Sequence, residues 1–90
     1  MDDGSQFLAD ELERLMNLPL KSKEDVRHWA NQAHKLQSLL TERFPKLDFP
    51  HDIWHFLADA DIRERDSDYK DAQHKKISDY IARVRAAHAV

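Results

Sequence analysis

The stretch of sequence that decides the fold is DFPHDIWHFLADADIR, residues 48–63. At about 100° per residue, this segment predicts a helix with apolar side chains on two arcs of its circumference. The first arc contains Ile53, Phe56, Leu57 and Ala60, and the second contains Trp54, Ala58 and Ile62, with Asp61 projecting between the two. A helix that buries one stripe needs only the first arc. We therefore expect the second arc to be covered by another helix, a second chain or a ligand.

The length and composition of the chain indicate one helical domain over residues 1–90. Its 90 residues include only 1 glycine and 3 prolines. A sheet protein needs turn residues every eight to twelve positions, and this chain lacks them. We expect an all-α fold, a four-helix antiparallel bundle-like domain with a long second helix and a central third helix. Residues 1–4 and 88–90 are expected to be disordered.

Capping residues and prolines set the predicted helix boundaries. Ser5, Ser22, Asp48, and Asp66 or Ser67 are predicted N-caps, and the helices are expected to end near Asn17, Phe44, Arg65 and residue 87. Pro19 and Pro45 stop the first two helices, and Pro50 suits the first turn of the third. The connections are short, which favours antiparallel packing of sequential helices.

Composition also limits the classes of function. The chain has no cysteine, which excludes a disulfide framework and a thiolate metal site. No apolar run has the roughly 18 residues of a membrane span, and the N-terminus lacks the features of a signal peptide. We therefore expect a soluble cytoplasmic protein with no membrane partner and no cofactor. The net charge of −3 disfavours nucleic acid as a partner.

Two histidines provide the sharpest chemical motif. His51-Asp52-x-x-His55 resembles the His-Glu-x-x-His motif of the zincins, and Asp61 stands at the third-ligand spacing of the metzincins. The resemblance covers only residues 51–61. Asp52 is one carbon shorter than the expected glutamate, and Ala58 replaces the glycine that lets the chain turn. We favour two partly solvated surface histidines. The alternative is a metal site of His51, His55 and Asp59, either structural or a hydrolytic zinc.

Asp61 allows two interpretations. An ionised carboxylate is costly to bury without a partner. One interpretation is therefore a structural salt bridge or hydrogen bond, with Arg27, His34, the Trp29 indole or an arginine of the last helix as the partner. In the other interpretation, Asp61 faces outward within a binding surface. Trp54 also allows two interpretations. It is either covered by the first helix or exposed at an interface.

The function that these residues favour is a small non-catalytic protein-interaction or regulatory module. We expect it to bind a protein partner, or a second copy as a homodimer, through the third helix. Trp54 would anchor the contact, because tryptophan is enriched at interface hot spots, and Asp61 would set its orientation. The other predicted contact residues are Ala58 and Ile62, with His55 and Asp59 as a polar rim. Nucleophilic catalysis has no support, because cysteine is absent and the serines occupy capping or exposed helical positions.

Overall fold

The structure, a computed structural model, describes residues 4–88 and is all-helical within them. The helices are α1 Ser5–Met16, α2 Lys23–Arg43, α3 His51–Ala58, α4 Ala60–Arg65 and α5 Ser67–His88. The predicted all-α class is confirmed. The number of helices was wrong by one, because the predicted third helix is broken at Asp59 into α3 and α4.

Side-chain caps fix two of the helix starts as the sequence predicts. The Ser22 hydroxyl accepts a hydrogen bond from the backbone N–H of Asp25 at 3.1 Å. The carboxylate of Asp66 accepts one from the backbone N–H of Tyr69 at 3.0 Å. Both bonds satisfy backbone donors that a helix leaves free in its first turn. The third helix differs from the prediction, since it begins after Pro50 with no side-chain cap.

The one glycine of the chain is needed where it stands. Gly4 is the N-cap of α1 and has φ of 104°, a left-handed conformation that side chains disfavour. A Cβ at this position would lie 2.6 Å from Cγ of Phe44. Gly4 is buried and His88 ends α5, while the expectation of disorder at residues 1–4 and 88–90 stays a prediction. Residues 1–3 and 89–90 of that expectation lie outside the described residues.

The helices form a closed cycle of neighbours. Helix α1 packs against the long helices α2 and α5. Helices α3 and α4 each pack against α2 and α5 as well. The antiparallel order of these helices remains a prediction. One side of the broken segment α3–α4 therefore faces the core. Its opposite side can stay at the surface of the protein.

The core is built from one apolar stripe of each main helix. Its members are Leu8, Ala9, Leu12, Leu15, Trp29, Ala33, Leu36, Leu40, Ile53, Phe56, Leu57, Ala60, Ile77, Tyr80, Ile81 and Val84. The whole first arc of residues 48–63 is among them, as predicted. The rings of Trp29 and Phe56 meet edge to face with centroids 5.1 Å apart, and the Trp29 indole N–H donates to the Leu15 carbonyl oxygen at 2.9 Å.

Across residues 4–88, no helix combines the length and apolar character required to cross a lipid bilayer.

Candidate protein interaction surface

An aromatic pair lies at the start of α3. Phe49 and Trp54 flank the first turn of the helix, and their ring centroids are 5.1 Å apart at an angle of 40°. Phe49 is half-buried, whereas 45% of Trp54 is exposed. Trp54 is the one large hydrophobic side chain among residues 4–88 that is exposed. Of the two interpretations of Trp54, coverage by the first helix does not hold.

The rest of the second arc also faces outward. Ala58 and Asp61 are exposed, and Ile62 is half-buried. His55, predicted at the polar rim, is exposed as well. The structure therefore places all six predicted contact residues, including the half-buried Asp59, at least partly at the surface of the segment 48–66, with the aromatic pair at one end. We call Trp54, Ala58, Asp61 and Ile62 the outer face, with His55 at its edge.

Asp61 lies in the first turn of α4, and its carboxylate forms no hydrogen bond or ion pair with any residue in the range 4–88. The interpretation of Asp61 as half of a structural salt bridge does not hold. The Trp29 indole, one of its expected partners, is committed to Leu15 inside the core. The carboxylate of Asp61 is thus an exposed charge on a helix segment that also exposes a tryptophan.

Asp59 is the predicted contact residue that has a different role. It is half-buried at the break between α3 and α4. Its Oδ2 accepts hydrogen bonds from the Tyr69 hydroxyl at 2.5 Å and from Nε2 of Gln73 at 3.1 Å. Its backbone carbonyl accepts bonds from the N–H groups of Ile62 and Arg63, both at 3.1 Å. Asp59 therefore joins α3–α4 to α5 through its side chain, and its place in a polar rim stays a prediction.

Arg63 is the residue that the sequence interpretation missed. Its charge suggests a place at the surface, but it is only 2% exposed. Its Nη1 donates to the carbonyl oxygen of Phe56 at 2.7 Å and to Oε1 of Gln73 at 2.6 Å. The burial lowers the pKa of Arg63 to about 10, although the negative charge of Asp59 opposes this shift. The guanidinium therefore stays protonated at neutral pH.

Periodicity could have found Arg63. It follows Phe56 by seven positions and Ala60 by three, which places it on the face of the first arc. Gln73 likewise stands four positions before the buried Ile77 and is itself buried. Periodicity could not identify the partner of each residue. Asp59 lies at the break between α3 and α4, and Tyr69 and Gln73 lie on α5, a different helix from Arg63. These four residues, Asp59, Arg63, Tyr69 and Gln73, form a network that we call the junction network.

The histidine pair does not assemble the metal site of the alternative interpretation. The rings of His51 and His55 are exposed, with centroids 5.2 Å apart. Asp59, the third ligand of that interpretation, is turned towards Tyr69 and Gln73. Within residues 4–88, no three histidine, aspartate or glutamate side chains are grouped to hold a metal ion. Asp52 follows His51 in the chain, and its Oδ1 lies 3.8 Å from Nζ of Lys76.

A groove of about 560 Å³ lies between α1 and α5. Its charged groups are already engaged, because Arg85 donates to the carboxylates of Glu13 at 2.7 Å and Asp10 at 3.0 Å. The hydrogen bond from Arg85 lowers the pKa of Glu13. Asn17, also on the groove wall, donates to the Glu13 carbonyl oxygen at 2.9 Å. These contacts make the groove a weaker candidate for binding than the outer face.

Comparison with protein-family models, with curated proteins and with solved structures finds no match to this chain. A function can therefore be inferred only from the chemistry of the surface itself.

Proposed function

We propose that this protein is a small, non-catalytic interaction module that binds another protein through the outer face of α3–α4. The observation that carries the proposal is the 45% exposure of Trp54, because the other large hydrophobic side chains of residues 4–88 are buried or half-buried. Tryptophan gives more binding energy per residue at interfaces than most side chains, because it buries a large rigid ring. Trp54 is the anchor of the proposed contact.

The outer face is held in place before a partner arrives. Phe49 supports one side of the Trp54 ring. The junction network ties the break at Asp59 to α5 through Tyr69 and Gln73. A contact surface that is already ordered loses less conformational entropy on binding, so a small surface can bind usefully. This rigidity is what a module with one exposed aromatic anchor requires.

The size of the apolar surface favours a different protein over a second copy of this chain. Specific, stable interfaces bury roughly 800 Å² per partner, those of obligate homodimers bury more, and homodimer interfaces are markedly apolar. The described residues expose one large hydrophobic side chain, Trp54, which is too little for such an interface. A transient complex with another protein needs less area, provided that the partner supplies an apolar pocket for the indole.

The proposal is tested by affinity capture from the native cell extract. The immobilised wild-type chain is compared with Trp54→Ala and with Lys35→Ala, which truncates an exposed side chain of α2. We expect a defined partner to bind the wild type and Lys35→Ala, and to be lost or reduced at least tenfold with Trp54→Ala, a loss of about 1.4 kcal/mol. Equal capture by all three would contradict the proposal, as would capture of nothing.

Light scattering on the purified protein separates the two kinds of partner. The proposal predicts the mass of a monomer for both the wild type and Trp54→Ala. A dimer that dissociates with Trp54→Ala would show that the outer face binds a second copy. In that case the surface would be correct and the choice of occupant would be wrong.

A further inference from the structure

We infer that the protein segment that docks on the outer face carries lysine or arginine beside the apolar group that receives Trp54. This inference rests on the proposed docking role of Trp54. The structure also shows a pattern of charges on the segment that carries Trp54. Asp48, Asp61 and Glu64 are exposed and form no hydrogen bond or ion pair with any residue between 4 and 88.

The positive charges of the same segment do not balance these carboxylates. Arg63 is enclosed, and its Nη1 donates inward to the carbonyl oxygen of Phe56 and to Oε1 of Gln73. Arg65 is the one arginine of residues 48–66 that is exposed. The negative charge of Asp52 is met at 3.8 Å by Lys76 of α5, in an ion pair that is largely solvated. The outward charge of the segment 48–66 is therefore negative, and the same segment carries the exposed tryptophan.

A partner that covers Trp54 also removes water from neighbouring carboxylates. An unpaired charge that loses its hydration at an interface costs free energy, and like charges brought together cost more. A basic side chain from the partner removes that cost and forms a charge-assisted hydrogen bond with the carboxylate. An acidic partner is disfavoured, and so is a second copy, which would bring carboxylates of its own. The fitting occupant is thus a segment that combines an apolar residue with lysine or arginine.

The probe for the test is a pair of synthetic peptides. One places leucine along one face of a helix and lysine along the other, and the second replaces every lysine by glutamate. Binding of the fluorescently labelled peptides is measured by anisotropy at low and physiological salt. The protein variants are Trp54→Ala, Asp61→Asn and Glu42→Gln. Glu42→Gln is the matched control, because it removes the same charge from an exposed position on α2.

We expect the lysine peptide to bind the wild type and the glutamate peptide not to bind. Asp61→Asn should weaken binding about two- to fivefold, as an exposed ion pair allows. Trp54→Ala should weaken it at least as much, Glu42→Gln should leave it unchanged, and added salt should reduce it by screening. This pattern supports the inference, since it requires the tryptophan and its neighbouring carboxylate together.

The other results overturn the inference in distinguishable ways. If both peptides bind equally and both depend on Trp54, the outer face is a docking surface without preference for charge. In that case the proposed function stands and the inference is wrong. If the lysine peptide binds, but Glu42→Gln weakens it as much as Asp61→Asn, the attraction belongs to the whole acidic protein. If neither peptide binds, the inference fails and the capture experiment alone decides the proposed function.

Discussion

The guanidinium carbon of Arg63 lies 4.4 Å from the ring centroid of Trp29 and 4.3 Å from that of Phe56. The two rings are almost perpendicular, so the cation occupies the corner that they form. Its Nε and Nη2 have no hydrogen-bond partner in the described chain. The faces of the two rings supply part of the missing stabilisation, because aromatic faces attract cations. Arg63 thus joins α2, α3, α4 and α5 at one point.

Removal of Arg63 should destabilise the fold strongly. We expect Arg63→Ala to lower the free energy of unfolding by about 3–5 kcal/mol, because it leaves a cavity and two unpaired acceptors on Phe56 and Gln73. Urea unfolding followed by circular dichroism measures the change. Arg65→Ala is the matched control, since it removes an exposed arginine two residues later and should cost no more than about 0.5 kcal/mol. Equal losses for the two variants would show that Arg63 is not the buried arginine.

The hydrogen bond between Tyr69 and Asp59 should be visible in a spectroscopic titration. Because the hydroxyl donates to a carboxylate, this bond raises the pKa of Tyr69 above its ordinary value, and partial burial adds to the rise. Asp59→Asn should lower the pKa of Tyr69 towards that value. The part of the tyrosinate absorbance that is missing in the Tyr69→Phe variant is assigned to Tyr69. A Tyr69 titration that does not change with Asp59→Asn would contradict the junction network.

His74 should make the protein less stable in mild acid. Its ring lies 6.0 Å from that of Phe56. Burial lowers the pKa of His74, and the charges of Arg63 and Lys70 lower it further, while Asp71 opposes them. The stability that comes from keeping His74 neutral is fully present above the ordinary pKa of 6.5. It is lost as the pH falls through the lower pKa of the folded state, because the unfolded chain then binds the proton more readily.

The measurement for His74 is the change in the free energy of unfolding between about pH 7.5 and pH 5, a range in which histidine changes charge. We expect this change to be smaller for His74→Gln than for the wild type. His34→Gln is the control, because it makes the same substitution at an exposed position on α2. A pH dependence that is identical in His74→Gln and the wild type would remove His74 as its source.

Trp54 should matter little for the fold, which is what makes it a clean probe of binding. Half of its side chain is in water, so Trp54→Ala should cost about 1 kcal/mol, mainly from the lost contact with Phe49. Trp29→Ala should cost about 3–5 kcal/mol, because Trp29 is fully enclosed. Thermal and urea unfolding compare the two variants. A comparable loss for Trp54→Ala would place its indole in the core after all.

The sequence predicts the helices better than the site, for a physical reason. Capping at Ser22 and Asp66 depends on neighbours three positions away, and the core arc of Ile53 and Phe56 depends on a period that local geometry fixes. The break at Asp59 depends instead on Tyr69 and Gln73, which come from another helix. No local rule shows that these partners will compensate the hydrogen bonds that an unbroken helix would have made.

The same reasoning explains the outer face. Residues 48–63 have more apolar positions than one buried stripe needs, which indicated a second apolar side. Of the two interpretations of Trp54, the structure agrees with exposure at the surface. Asp59 was predicted at the polar rim, and the sequence did not show that its carboxylate would bond to Tyr69 and Gln73. The burial of Arg63 follows from its periodicity, but its charge suggested the surface.

Site-specific photo-crosslinking tests the central claim most directly. A benzophenone amino acid is introduced at Ala58 on the outer face and, as a control, at Ala30, which is exposed on α2. After irradiation in the native extract, we expect the probe at position 58 to give a discrete covalent adduct with another protein, which Trp54→Ala abolishes, and the probe at position 30 to give none. No adduct at position 58, or one that persists with Trp54→Ala, would contradict the proposed docking role of this surface.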